Sequence, residues 1–164
     1  MSNYKEYSII MVGKAASSMA LLILDGKRES IARRYPERYL KNAADRLFQS
    51  KVDHDKIVDY TVFPCGTSGV FGALWDLGES LDTGLKANLA DIPIDQAAIE
   101  LCDFEDINPY ESDSNGAYLI AAAEPGKVLE ALRADGILGK VIGYTTKENA
   151  RTIIGPTERY LTKP

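Results

Sequence analysis

Histidine occurs once and cysteine twice in 164 residues, and these counts exclude several common chemistries. A structural zinc site takes about four Cys or His ligands at short spacing, and Cys65 and Cys102 are too few for a disulfide scaffold. A reducing cytoplasm is the expected setting. The single histidine, His54, lies between Asp53 and Asp55, where a general base has a place; a solvated loop histidine is the simpler reading. Long hydrophobic runs are missing too. The longest, residues 19–24, falls far short of the roughly 20 apolar residues that cross a bilayer, and the opening MSNYKEYS lacks the apolar stretch of a signal peptide. Positive charge is in deficit, with 19 Lys and Arg against 24 Asp and Glu and a formal net charge of −5. That balance disfavours binding to a phosphate backbone. Neither a nucleic-acid nor a membrane partner is expected.

Motifs with a fixed spacing are equally scarce. Gly13 and Lys14 follow the apolar stretch YSIIMV as a phosphate loop would, but GxxxxGK[ST] needs Gly at Ser8 and a hydroxyl residue at Ala15. No GxGxxG, GxSxG, HExxH or calcium-loop pattern occurs. No catalytic residue and no metal ligand set is therefore assigned.

What is present is the composition of one folded domain: 45% hydrophobic and 26% charged residues, with no linker, repeat or low-complexity tract. Residues 1–164 are read as a single domain. A β-rich segment at residues 7–12 runs into GKAASS, where Ser17 or Ser18 would cap a helix carrying Met19, Leu22 and Ile23. Leu40, Ala43, Ala44 and Leu47 recur at helical spacing. The basic residues Lys27, Arg28, Arg33, Arg34 and Arg38 alternate with Glu29 and Glu37, which predicts a solvated helix surface rather than an anion groove. Residues 57–63 read as a strand, and residues 85–89 as another. A helix stripe follows at Ile94, Ala97, Ala98, Leu101 and Cys102, which makes Cys102 a core thiol.

Gly116 leads into the strand AYLIAA, and Pro125 suits the first turn of a helix stopped near Gly136. Residues 140–145 and 151–154, joined by KENA, read as a closing hairpin. The sum is about six strands and five helices, a mixed sheet layered with helices.

The segment CGTSG stands between the second strand and a helix face made by Val70, Leu74, Leu77 and Leu81. A glycine turn entering a helix aims backbone N–H groups and the positive helix end at one point, where an anion can bind. The competing explanation is conformational: the glycines serve positive φ and close helix-to-sheet packing. Cys65 at this turn is read as a packing residue; the alternative is an exposed thiolate stabilised by the helix end.

The order of segments resembles the PurM-like C-terminal domain shared by aminoimidazole ribonucleotide (AIR) synthase, selenide water dikinase, thiamine-monophosphate kinase and the hydrogenase maturation carbamoyl dehydratase. The residues that carry the likeness are SGVFGALWDLGESL, TGLKANLADIPI, INPYESDSNGAYLIAA, PGKVLEALRADGI and KVIGYTTKENARTII, which together cover nearly the whole chain. The resemblance implies an α+β fold, a three-layer α/β/α sandwich with a mixed sheet and partly ferredoxin-like topology. It also implies the second half of an ATP-using enzyme whose N-terminal half, holding magnesium and nucleotide, is not in this sequence.

Transferred by position, a phosphate-cradling role falls on Gly66, Thr67, Ser68 and Gly69, with Gly72 one turn further on. Two relatives place Asp and Thr where this chain has Pro64 and Gly66, and the maturation factor's cysteine-bearing tail is replaced by YLTKP. Glu111 and Asn115, in the loop NPYESDSNG, are secondary site candidates; a turn built by Asn, Asp, Ser, Pro and Gly is the alternative.

The expectation is a module that is not catalytic alone and serves ligand binding, of a phosphate-type anion, or assembly. One alternative is a subunit of a split ATP-dependent enzyme, in which ATP and magnesium enter only with a nucleotide-binding partner. Another is a structural homo-oligomer, a dimer favoured, formed over surface that the second half would otherwise cover.

Overall fold

Ile9, Ile10, Met11 and Val12 are all sealed from solvent, the signature of a strand covered on both faces. In the computed structural model, which describes residues 4–164, this strand, β1 (Ser8–Val12), lies inside a seven-stranded mixed sheet. Residues 1–3 of the polar opening lie outside the described residues. The other strands are β2 (Val62–Pro64), β3 (Gly84–Asn88), β4 (Tyr118–Ala122), β5 (Gly139–Thr146), β6 (Arg151–Ile154) and β7 (Arg159–Tyr160), in the order β2-β4-β1-β5-β3-β6-β7. The pairings make β1, β2, β3 and β6 run one way and β4, β5 and β7 the other.

Six α-helices cover the sheet and one end of it: α1 (Ser17–Gly26), α2 (Arg28–Ala32), α3 (Glu37–Gln49), α4 (Gly69–Leu81), α5 (Gln96–Phe104) and α6 (Pro125–Ala134). Alternation along the strands assigns the faces. Ile9, Met11, Leu85 and Leu119 pack with Val70, Leu74 and Leu77 of α4. On the opposite face, Ile10, Val12 and Ile120 pack with Leu132 of α6. The result is the three-layer α/β/α sandwich, with a mixed sheet and an α+β chain order. Helices α1, α2, α3 and α5 bury their stripes against one another in a lobe of their own, and Ile94 packs against both this lobe and the α4 layer. The β4–α6–β5 crossover brackets β1, a split βαβ unit of the ferredoxin-like kind.

Local chemistry explains most boundaries. Asp95 caps α5 by accepting the Ala97 N–H at 2.9 Å. Pro125 opens α6, and Gly136, at φ +77°, ends it.

Four sequence expectations need correction. Residues 140–145 and 151–154 do not form a hairpin, because β3 lies between β5 and β6, antiparallel to the first and parallel to the second. Gly143 admits this neighbour: a Cβ there would strike the Lys86 carbonyl of β3. Ser17 and Ser18 do not cap α1. Ala16 holds that position in the left-handed region at φ 58°, and the nearby N–H groups of Ala16 and Met19 go to Ser114 Oγ and the Asp113 carbonyl. The strand expected over residues 57–63 shrinks to its end, because Asp53 starts a 3-10 turn at His54–Lys56 that sends Ile57 into the α6 layer. Finally, the described residues hold seven strands and six α-helices rather than about six and five, the short edge strand β7 being one of the additions.

Candidate functional site

Strands β1, β2, β3 and β6 all end on one edge of the sheet, and the loops that follow them gather there. Ligands of open α/β sheets bind outside such carboxyl ends. The glycine turn leaves this edge after β2 and Gly13 with Lys14 leaves it after β1; the residues that lead into β4 lie between them.

The turn is knitted to the loop that precedes β4. The Gly66 carbonyl accepts the N–H groups of Gly69 at 3.0 Å and Ser114 at 3.1 Å, and the Cys65 N–H donates to the Ala117 carbonyl at 2.9 Å. Gly69, at φ +70°, lies so close to that loop that a Cβ would sit 2.6 Å from the Tyr110 carbonyl and 2.7 Å from that of Ser112. Gly66 has open space where its Cβ would be. Thr67 is exposed and Ser68 half-buried before α4, whose N-cap makes no side-chain bond. Gly72 is buried one turn inside the helix, its missing Cβ facing the Ser68 side chain.

The loop has its own framework. The Asn108 carboxamide oxygen accepts the Tyr110 N–H and the Asp113 carboxylate that of Asn115, each at 3.0 Å. Glu111 is exposed on the rim of a small cavity with Phe71 and Arg159. The Asn115 side chain is exposed, while its carbonyl takes the Ser18 hydroxyl at 3.0 Å. The fold thus brings Gly66 and Gly69 against residues 110–114, while the Glu111 side chain lies on the rim of a separate small cavity and that of Asn115 is exposed.

A larger cavity, about 610 Å³, opens along the same edge between β1 and β5 and touches none of the turn's glycines. Lys14, Lys51, Lys56 and Lys140 line it with Asp53, and Ile137 and Leu138 supply an apolar side. These lysines come from three separate segments, Lys51 and Lys56 sharing one, so no local motif announces them; only Gly13 with Lys14 stands out in the sequence. The basic residues singled out there, from Lys27 to Arg38, belong to the exposed surface of the helical lobe.

Asp95 anchors the wall beside Lys14. Arg46 grips its carboxylate through two N–H groups at 3.0 and 3.2 Å, and Lys14 Nζ stands 3.9 Å away. The Arg46 bonds hold the Asp95 carboxyl below the usual carboxylate range, against the opposing effect of burial. Both cysteines are buried, and burial pushes the Cys65 thiol up to about 12 and the Cys102 thiol up to about 11. Cys65 is a packing residue in the α4 layer, as its reading at the turn requires. Among the described residues no three His, Cys, Asp or Glu side chains group as metal ligands, and no helix is long and apolar enough to cross a membrane.

The α4 layer, mixed sheet and α6 layer define the PurM C-terminal-like fold. Three solved structures carry it at closely similar geometry. E. coli HypE matches at a TM-score of 0.71 and 13% identity over 100% of this chain and 51% of its own. The hydrogenase maturation protein HypE in complex with ATP matches at 0.67 and 12%, over 98% of this chain and 51% of its own. Thiamine-monophosphate kinase from Stenotrophomonas maltophilia K279a matches at 0.65 and 12%, over 93% and 51%. The chain therefore spans about half the length of these neighbours, and at such identities the likeness is one of fold. No protein-family model matches the sequence, and no curated protein matches it.

Proposed function

We propose that this chain acts as the C-terminal-type half of a two-part ATP-using enzyme, with its carboxyl edge turned toward a nucleotide-binding half. The observation that supports the reading is the match of the whole chain to half of an ATP-bound HypE. Pro64 and Gly66 leave the β2 turn without a carboxylate or hydroxyl where relatives carry Asp and Thr. Binding of magnesium and nucleotide then falls to the other half, on this polypeptide or another, and the turn contributes backbone N–H groups with the Thr67 and Ser68 hydroxyls. This subunit reading is preferred to a free-standing anion-binding module.

The test is isolation of the native assembly through an affinity tag on this chain, followed by photolabelling with azido-ATP. The label is expected on a nucleotide-binding component and not on residues 1–164 purified alone. Robust ATP hydrolysis by the purified chain, or a native assembly with no labelled component, would overturn the proposal.

A further inference from the structure

We propose that the cavity lined by Lys14, Lys51, Lys56 and Lys140 binds a phosphorylated small molecule at a site separate from the glycine turn. The inference concerns this chain by itself and stands whether or not a second half completes an enzyme.

In a protein with a formal charge of −5, four lysines lining one cavity run against the overall balance, and like charges gathered near a concavity repel unless something anionic offsets them. The groups within the fold that would do so are largely engaged. Asp95 is matched by Arg46 and the Ala97 N–H, which leaves Lys14 at a distant 3.9 Å. Asp53 takes the Asp55 N–H, and Lys140 has only Asp91, also at 3.9 Å. Among the described residues no carboxylate comes within 4.0 Å of the Lys51 or Lys56 ammonium.

Helix C-termini are the other source of negative potential, and α3 and α6 both end at the cavity. Several of their terminal carbonyls are already taken. Those of Arg46 and Phe48 accept the Ser50 and Lys51 N–H groups, and that of Leu47 the Ser50 hydroxyl. The Leu132 carbonyl accepts from Asp135 and Ile137, and that of Arg133 from Gly136. The lysines thus remain available to a ligand.

The chemistry of that ligand follows from the lining. A volume of about 610 Å³ lies within the range of small-molecule sites, roughly 300–1,000 Å³. Ammonium groups on flexible stems suit phosphate oxygens as point charges. The apolar side at Ile137 and Leu138, the latter 83% exposed, suits a carbon-bearing portion, and Asp53 offers an acceptor for hydroxyl groups. A phosphate ester of a small hydroxylated compound fits all three features.

The experiment uses inorganic pyrophosphate as the probe, titrated into the full chain at 150 mM KCl and followed by amide chemical shifts and calorimetry. The shifts are expected to centre on residues 13–14, 50–56 and 137–140. The double variant Lys51→Gln/Lys140→Gln is expected to weaken binding at least tenfold while its urea midpoint stays at the wild-type value. The control Lys41→Gln/Lys127→Gln, which removes equal charge elsewhere, is expected to bind as wild type. No binding by the wild-type chain, equal weakening in both variants, or shifts centred on residues 65–69 would overturn the inference.

Discussion

Gly66 and Gly69 lie three residues apart in the same turn, yet the structure predicts opposite responses to one added methyl group. Alanine at position 69 must hold φ at +70°, which costs roughly 1–2 kcal/mol for a residue with a Cβ. Its Cβ would also meet the Tyr110 carbonyl at 2.6 Å, the Ser112 carbonyl at 2.7 Å and the Ser112 nitrogen at 2.8 Å. Backbone atoms cannot rotate aside as a flexible side chain would, so overpacking adds about 1–3 kcal/mol. The sum is about 2–5 kcal/mol, a large part of the roughly 5–15 kcal/mol that holds a domain together. At position 66 the Cβ meets nothing within 4 Å and φ is not in the left-handed region, so Gly66→Ala is expected to change stability by less than about 0.5 kcal/mol. Urea unfolding of both variants reads the difference directly. With a slope of about 2 kcal/mol per M, Gly69→Ala should lower the midpoint by about 1–2.5 M and Gly66→Ala should leave it in place. A tolerated Gly69→Ala, or two variants equally destabilised, would refute the claim that close approach of the 108–116 loop shapes this turn.

Three further outcomes follow from single sites. Asp95→Asn, which breaks the Arg46 pair at a carboxylate only 7% exposed, should cost about 1–3 kcal/mol at pH 7. Because the folded pKa lies below the usual value, the stabilisation is complete above about pH 5 and lost as pH falls through the folded pKa, below which the two proteins should converge in urea midpoint. Cys65, 0% exposed with its thiol pushed up to about 12, should resist a thiol-reactive dye in native buffer and react on unfolding; rapid native labelling would show an open turn. Leu119→Ala, at a side chain sealed in the α4 layer, should cost about 2–5 kcal/mol by calorimetric or urea unfolding, and a loss under 1 kcal/mol would contradict its place in the core.

Much of the fold was legible wherever one segment carries its own instruction. The apolar run of β1, the stripe of α3 and the Pro125 and Gly136 boundaries of α6 all express local periodicity or backbone chemistry. The insertion of β3 was not legible, because adjacency in sequence favours a hairpin and only the two-sided pairing of Gly84–Asn88 overrides it. Ser17 looked like a cap because its residue type suits one, whereas its hydroxyl instead meets Ser50 Oγ at 2.9 Å across the chain. The candidate site divides in the same way. The glycine turn is a contiguous motif and stands out; the four lysines come from three separated segments that meet only at the edge to which the topology delivers them.

The position of β1 has a consequence for synthesis of the chain. Val12 pairs with Tyr118 on one side and Gly139 on the other, so β1 is synthesised roughly a hundred residues before either partner. At the usual elongation rate that interval is about 5–20 s, during which an apolar segment with both edges free is open to mispairing. Helices α1 to α5, which make up the helical lobe and α4, are all translated within this interval, and the lobe buries its stripes among its own helices. Folding during synthesis would therefore form helices before the sheet closes around β1, and arrest of elongation before β4 would leave this apolar strand with neither of its neighbours.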